Sequence, residues 1–399
     1  MPDFEELNKH LAVAPLRLIV MESAKALGAQ VNDYLVTARK DIHHNNLKDP
    51  AFKDYVRSDY RISLDVDRYP SGEGRTHLLE SARGQDIYIL TDVMNHSITY
   101  QFRGFSNYMS PDDHYQDIKR VIASINGRAR RINVIMPFMY ESRQHKKSSR
   151  ESLDCAVMIK ELTSMGVHNF ITFDAHDPRV FNAAPLSGFN NFLATYQFLK
   201  AILLRVDDLK VDKDHLTVIS PDEGALERTV YFADVLGADT GMFYKRRDYT
   251  RIVNGKNPIV AHEYLGEDLS GRDVIVVDDM IASGSSIIDT ARQLKALHAN
   301  RVFLCATFGL FTEGFAAFDK AFKKGIFDGV VSTNLTWHDP MLNDKEWFFE
   351  ADMSKFLATI IDFINHDASI TGVLTPTEKI HEYVQKYNEG LPAKDVIPD

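Results

Sequence analysis

Cysteine is nearly absent: the 399 residues contain two, Cys155 and Cys305, both in apolar surroundings. Neither belongs to a CxxC pair, which argues against a disulfide framework or a structural zinc site and suits a reducing compartment. Long apolar runs are missing too, and none approaches the length that crosses a bilayer. The opening residues MPDFEELNKH do not read as a signal peptide, so a cytoplasmic protein with no membrane partner is expected. Positive charge is not in excess. Lys and Arg number 46 against 56 Asp and Glu, a formal charge of -10. That balance gives no general affinity for nucleic acid or anionic lipid, although a local basic patch for a small polyanion remains compatible with it. No internal repeat is visible.

What is present is an ordinary globular composition, 44% hydrophobic and 26% charged, in a chain long enough for two domains. Residues 1–60 are charged and aromatic and read as partly helical. An alternation of strands and helices follows: strand Ile87–Thr91, helix Asp112–Asn126, strand Ile132–Pro137, helix Leu153–Met165 and strand Asn169–Phe173. The rhythm returns with strand Leu216–Ile219, helix Ala225–Leu236, strand Asp273–Val277, helix Ile287–Ala296 and strand Arg301–Ala306. Helices between strands argue for parallel βαβ units, and near-continuous apolar runs such as VIVV suit a sheet covered on both faces. Two α/β domains meeting near residues 190–210 are expected. Asp248–Leu269 fits neither period and reads as a functional loop. A short amphipathic helix is expected at Thr377–Tyr387.

The segment VIVVDDMIASGSSIIDTA (residues 274–291) carries the strongest chemical signal. Four apolar residues deliver Asp278 and Asp279 to the carboxyl end of a strand, where open α/β sheets bind ligands. The small residues Ala282, Ser283, Gly284, Ser285 and Ser286 follow, and then a helix begins. Unpaired N–H groups at a helix start, reached through a compact loop, suit a phosphate. Adjacent carboxylates beside it suit ribose hydroxyls or hydrated magnesium. The plainer reading is a helix cap and a solvated turn, since serines commonly cap helices.

This segment resembles the phosphoribosyl-pyrophosphate motif of type I phosphoribosyltransferases and ribose-phosphate pyrophosphokinases. The resemblance assigns Asp278 and Asp279 to ribose hydroxyls and Ala282–Ser286 to the 5-phosphate. Four more stretches are similar to the pyrophosphokinase branch. SRQHKKSSRE (142–151) is similar to its ATP segment, with Arg143 on phosphates and Gln144 on the nucleotide. FDAHD (173–177) places His176 at the ATP and magnesium site. ISPDEGALER (219–228) places Asp222 beside the ribose phosphate and at the metal. YKRRDY (244–249) assigns catalytic charge stabilisation to Lys245 and Arg247, at the start of a closing loop over roughly 245–262. A fifth stretch, Tyr69–Glu73, corresponds to an ATP-contacting turn, with Tyr69 and Glu73 kept. The resemblance spans about residues 69–335.

Implied by it are two phosphoribosyltransferase-like domains, each with a mainly parallel sheet flanked by helices. Residues 61–195 would bind ATP and 196–345 ribose phosphate, with the active site between them. Residues 1–60 and 367–399 would be extensions, and the segment 346–366, with a helix over Met353–Ile364, would pack back on the first domain. The implied reaction is diphosphoryl transfer from ATP to the 1-hydroxyl of ribose 5-phosphate, with magnesium as cofactor, in a dimer or hexamer. Departures are Ser71 in place of an acid, His145 at a position that is often Asp, Ser285 in place of a glycine, and extra length around Phe102–Asp113. They leave open a non-catalytic regulatory homologue and a phosphoribosyltransferase. Ser285 raises the expectation of a narrowed pocket or a strained phosphate loop.

Overall fold

The computed structural model describes residues 7, 10–46, 55–147, 149–247, 259–374 and 377–396; side chains at 41–46, 245–247, 259–262 and 373–374 are outside that description. The chain divides into two compact units. Residues 1–193, 334–337 and 352–375 belong to the first, and 194–333, 338–351 and 376–399 to the second.

In the first unit, β1 (Leu16–Val20) is followed by helix α1 (Lys25–Asn46), the hairpin β2 (Leu64–Arg68) and β3 (Gly74–Leu78), and β4 (Asp86–Leu90). A second hairpin, β5 (Thr99–Phe102) and β6 (Phe105–Tyr108), precedes α2 (Pro111–Ile125), β7 (Arg131–Ile135), α3 (Asp154–Ser164), β8 (Asn169–Phe173) and β9 (Gly188–Phe192). Five strands form one parallel sheet in the order β1-β4-β7-β8-β9. One row across it reads Ile19, Ile89, Val134, Phe170 and Phe189. The strands β4, β7 and β8 are buried almost throughout, as expected for a sheet covered on both faces. Helix α2 begins in a capping box: Asp113 N donates to Ser110 Oγ at 3.2 Å, and Ser110 N donates to Asp113 Oδ2 at 2.9 Å.

Residues 1–60 need correction as an extension, because LRLIV at 16–20 is an edge strand of this sheet. Helix α1 packs on the late helix Ser354–Asn365. The tie is buried: Arg39 donates to Asp362 Oδ1 from Nε at 2.8 Å and from Nη2 at 2.6 Å, and to Asn365 Oδ1 at 2.5 Å. Asn365 Nδ2 then donates to Asp86 Oδ2 at 2.8 Å, and Arg131 holds the same carboxylate at 2.7 Å. These contacts lie at the amino ends of β4 and β7, so the opposite ends of the strands are left for ligands.

The second unit contains α4 (Thr195–Leu203), β10 (Leu216–Ser220), α5 (Leu226–Leu236), β11 (Asp239–Arg247), β12 (Ile259–Leu265), β13 (Asp273–Ile281), α6 (Ser285–Ala296), β14 (Val302–Gly309), α7 (Ala316–Phe322), β15 (Gly329–Thr333) and β16 (Phe348–Ala351). Its seven strands run in the order β12-β11-β10-β13-β14-β15-β16, parallel except for the β11–β12 pair. The core under α6 and α7 is aromatic, with Phe318 and Trp347 stacked on each other and each packed against Phe311 and Phe327. Part of the expected loop 248–269 is strand β12, while 248–258 lies outside the described residues. The helix Thr377–Asn388 packs on α5, and its Tyr387 hydroxyl donates to Val206 O at 2.9 Å. Cys155 and Cys305 are buried and unbridged. Among the described residues, no helix is long and apolar enough to cross a membrane.

Candidate active site

Strand β13 runs further than its apolar residues suggested. It continues through Asp278 and Asp279 to Ile281, because Asp278, Met280 and Ile281 still pair with Ala306, Phe308 and Gly309 of β14. The acids therefore sit on the last turns of the pleat rather than in a loop. Asp278 is partly exposed and Asp279 is buried, as alternation along a strand requires. Strand β10 lies beside β13 in parallel register, Ile219 opposite Val276, so the loops after both strands emerge together. This brings in Asp222, whose Oδ1 accepts from Gly224 N at 3.0 Å and caps a short helical turn.

It also brings in Arg228, to which the sequence reading gave no role. Arg228 Nη1 lies 3.4 Å from Asp278 Oδ1 and 3.9 Å from Asp279 Oδ1. Burial lifts the Asp278 carboxyl well above its ordinary range, and the neighbouring Asp279 lifts it further, while Arg228 opposes both. The signal for Arg228 was its place in ISPDEGALER: residue 228 lies in the first turn of the helix that follows β10.

Beyond Ile281, Thr312 N donates to Ala282 O at 2.9 Å and anchors the small-residue loop. Gly284 has φ +83° and is the N-cap of α6. A Cβ there would stand 2.3 Å from the ring of Phe318. Ser283 Oγ and Ser285 Oγ are 3.0 Å apart, and both Ser285 and Ser286 are exposed at the helix start. The expectation that Ser285 strains the loop is not met. Ser285 is not among the residues with positive φ, and the left-handed step falls on Gly284. Lys245 and Arg247 lie on β11, paired in backbone register with His262 and Ile259 across a bulge, but their side chains are outside the described residues. Most of the proposed closing loop lies outside them as well.

In the first unit, β7 and β8 are parallel neighbours, and their loops carry Arg143, Gln144 and His176. Arg143 is exposed in a turn after Glu141, which has φ +55°. Gln144 Nε2 donates to Ser152 O at 2.8 Å, so its amide closes the base of the basic segment. The ring of His176 meets that of His145 edge to face, centroids 5.1 Å apart. His145 Nε2 lies 3.4 Å from Asp177 Oδ2. Burial pulls His145 below the usual imidazole range, with Asp177 acting the other way. Hydrogen bonds from Arg179 hold the Asp177 carboxyl down at about 2.

Tyr69 and Glu73 sit in a different place, on the turn of the β2–β3 hairpin. Tyr69 N donates to Glu73 O at 2.8 Å, and Ser71 Oγ donates to Glu73 Oε2 at 2.6 Å. The extra length near 102–113 supplies the β5–β6 hairpin, whose Phe102 ring lies against Gly72 of this turn. The two residues expected at a metal, His176 and Asp222, fall in different units. Among the described residues, no group of three or more His, Cys, Asp or Glu is arranged to hold a metal alone.

Comparison with known proteins bears on family and fold. Residues 16–166 match the family described as the N-terminal domain of ribose phosphate pyrophosphokinase, and residues 195–316 match the phosphoribosyl transferase domain. Among curated relatives, the ribose-phosphate pyrophosphokinases of Pasteurella multocida and Shewanella oneidensis are each 28% identical over 313 residues, covering 78% of this chain and 90% of the relative. The Vibrio cholerae protein of the same name is 27% identical over 313 residues, covering 77% of this chain and 90% of its own. Among solved structures, the phosphoribosylpyrophosphate synthetase of Mycobacterium smegmatis superposes with a TM-score of 0.66 at 21% identity, covering 88% of this chain and 99% of that one. That last likeness is one of fold, and it bears out the expected pair of α/β domains.

Proposed function

The chain belongs to the ribose-phosphate pyrophosphokinase family, and from that premise we propose that it is a ribose-phosphate diphosphokinase. It transfers the β,γ-diphosphoryl group of ATP to the 1-hydroxyl of ribose 5-phosphate, giving phosphoribosyl pyrophosphate and AMP. The 1-hydroxyl oxygen forms the new bond to the β-phosphorus, the bond from that phosphorus to the α,β-bridging oxygen breaks, and the hydroxyl proton is released. The observation that carries the reading is the second unit's site: Asp278 and Asp279 at a strand end, Arg228 against them, and a glycine-opened helix start one loop further on.

In this reading the acids hold the ribose hydroxyls. The N–H groups of Ala282–Ser286 and the serine hydroxyls among them hold the 5-phosphate, where a helix start favours negative charge. Asp222, capping the neighbouring turn, borders the same pocket. Arg143, Gln144, His176, Tyr69 and Glu73 serve ATP, with the first unit as the nucleotide half and the second as the ribose half. Lys245 and Arg247 stabilise charge on the group in flight, and positioning supplies most of the remaining acceleration. Magnesium keeps most of its waters and takes one or two carboxylates besides substrate phosphates, so Asp222 is a fitting donor and the His176 imidazole would act through a bound water. Asp222 would serve magnesium on the ribose side and His176 on the ATP side, and when bound the ion offsets phosphate charge. A cytoplasmic homo-oligomer, dimer or hexamer, completes the proposal.

The test is direct assay of AMP and phosphoribosyl pyrophosphate from ATP, ribose 5-phosphate and magnesium. Wild type should form both in equal amounts. The Lys245→Ala protein should lose activity on the order of 10²-fold or more, as when a charge-stabilising donor is removed from a transition state. Folded wild-type protein that forms neither product over a range of metal and phosphate concentrations overturns the reading.

A further inference from the structure

The loops after β7 and β8 carry Arg143 and His176 separately in sequence, yet one pair of side chains joins them. His145 Nε2, from the first loop, lies 3.4 Å from Asp177 Oδ2 in the second. The ring of His145 also meets that of His176, with centroids 5.1 Å apart and planes at 62°. The side chains of His145 and Asp177 are each 10% exposed, while Arg179 beside them is 78% exposed, so the contact lies just beneath the surface.

Asp177 is itself fixed from behind. Its Oδ1 accepts from Arg179 N at 2.9 Å, capping the turn Pro178–Ala183, and its Oδ2 accepts from Arg179 Nη2 at 2.5 Å. A carboxylate held this way presents a set edge to His145, whose Nε2 stands at ion-pair distance from it. An acid at position 145, frequent in the family this chain resembles, would instead face Asp177 as a like charge. Histidine at 145 and aspartate at 177 therefore work as a pair.

We infer that His145 is a positioning residue, locked by Asp177, that sets His176 and Arg143 relative to each other and so fixes the affinity for ATP. This rests on the ATP-side assignment of those two residues made above.

The experiment measures ATP binding by equilibrium titration, together with KM for ATP, KM for ribose 5-phosphate and kcat. Loss of one buried polar contact in His145→Ala should weaken ATP binding about tenfold and leave KM for ribose 5-phosphate nearly unchanged. His145→Asp should be worse than His145→Ala. His145→Asp combined with Asp177→Asn, which removes the like charge and keeps an oxygen for Arg179 N, should recover most of the difference between His145→Asp and His145→Ala, and His145→Gln should recover part of the loss. Thermal melts establish that each variant is folded.

ATP binding by folded His145→Ala at the wild-type strength overturns the inference, and so does a double variant, His145→Asp with Asp177→Asn, no better than His145→Asp alone. If wild type binds ATP and His145→Ala weakens it but no product forms, the proposed reaction fails while the positioning role stands. If wild type does not bind ATP, both fail.

Discussion

Gly284→Ala tests whether the phosphate loop depends on one backbone conformation. Gly284 has φ +83°, and a Cβ there meets Phe318 Cε2 and Cζ at 2.3 Å. An L residue in the left-handed region costs about 1–2 kcal/mol. Phe318 cannot swing away cheaply, because it is fully buried, 5.1 Å from Phe311 and 5.3 Å from Trp347 by ring centroids. Crowding a filled core costs about 1–3 kcal/mol more. The sum, about 2–5 kcal/mol, is large against the roughly 5–15 kcal/mol that ordinarily separates folded from unfolded protein, but it should leave the fold standing. If the loop shifts by even 1 Å at the start of α6, KM for ribose 5-phosphate should rise on the order of 10²-fold.

Denaturant melts and initial rates would be compared for wild type, Gly284→Ala, Phe318→Leu and the double variant. Shortening Phe318 removes the atoms that clash but leaves the backbone cost. The double variant should therefore be more stable than additivity predicts, by about 1–3 kcal/mol. Additive melts, or an alanine variant as stable as wild type, would refute the reasoning.

Two further outcomes follow from charges. Burial and Asp279 raise the Asp278 pKa in the folded chain, so between its ordinary and raised values the folded state binds more protons than the unfolded one. Stability from this group therefore falls as pH rises through that window. Arg228→Met removes the opposing charge, so denaturant melts from acid to neutral pH should fall more steeply than for wild type; matching slopes would refute the assignment. Separately, Asp362→Ala strands the buried Arg39 guanidinium, which is 1% exposed. The loss should be about 3–5 kcal/mol of stability by denaturant melting, and under 1 kcal/mol would show the pair to be unimportant.

Much of the fold was legible because β4, β7, β8, β10, β13 and β14 are apolar runs between amphipathic helices. LRLIV at 16–20 is nearly as apolar, but the apolar LAVAP before it and the helix-favouring MESAKALGA after it blur its limits, and it lies at the sheet edge. β12 was hidden for a related reason: IVAHEYL is an antiparallel edge strand with mixed polarity. At the site, Asp278, Asp279 and the small-residue loop were readable from composition and order. Arg228 was not, because its partners lie 50 residues away, and only the pairing of β10 with β13 brings them together. The contact of His145 with Asp177 was invisible for the same reason, since it depends on the register of β7 against β8.

The bond from Arg39 to Asp362 has a consequence for the growing chain on the ribosome. Its two ends are 323 residues apart. At roughly 5–20 residues per second, that distance takes on the order of 15–65 s to synthesise. Over this interval α1 and the sheet edge beside it have no late helix to cover them, and the guanidinium has no carboxylate. The first unit also needs residues 334–337 and 352–375, so it cannot close before the second unit has been almost fully translated. The order of synthesis is therefore not the order of completion: the half that emerges first must wait, with apolar surface open to chaperones or to other nascent chains, for the half that emerges last.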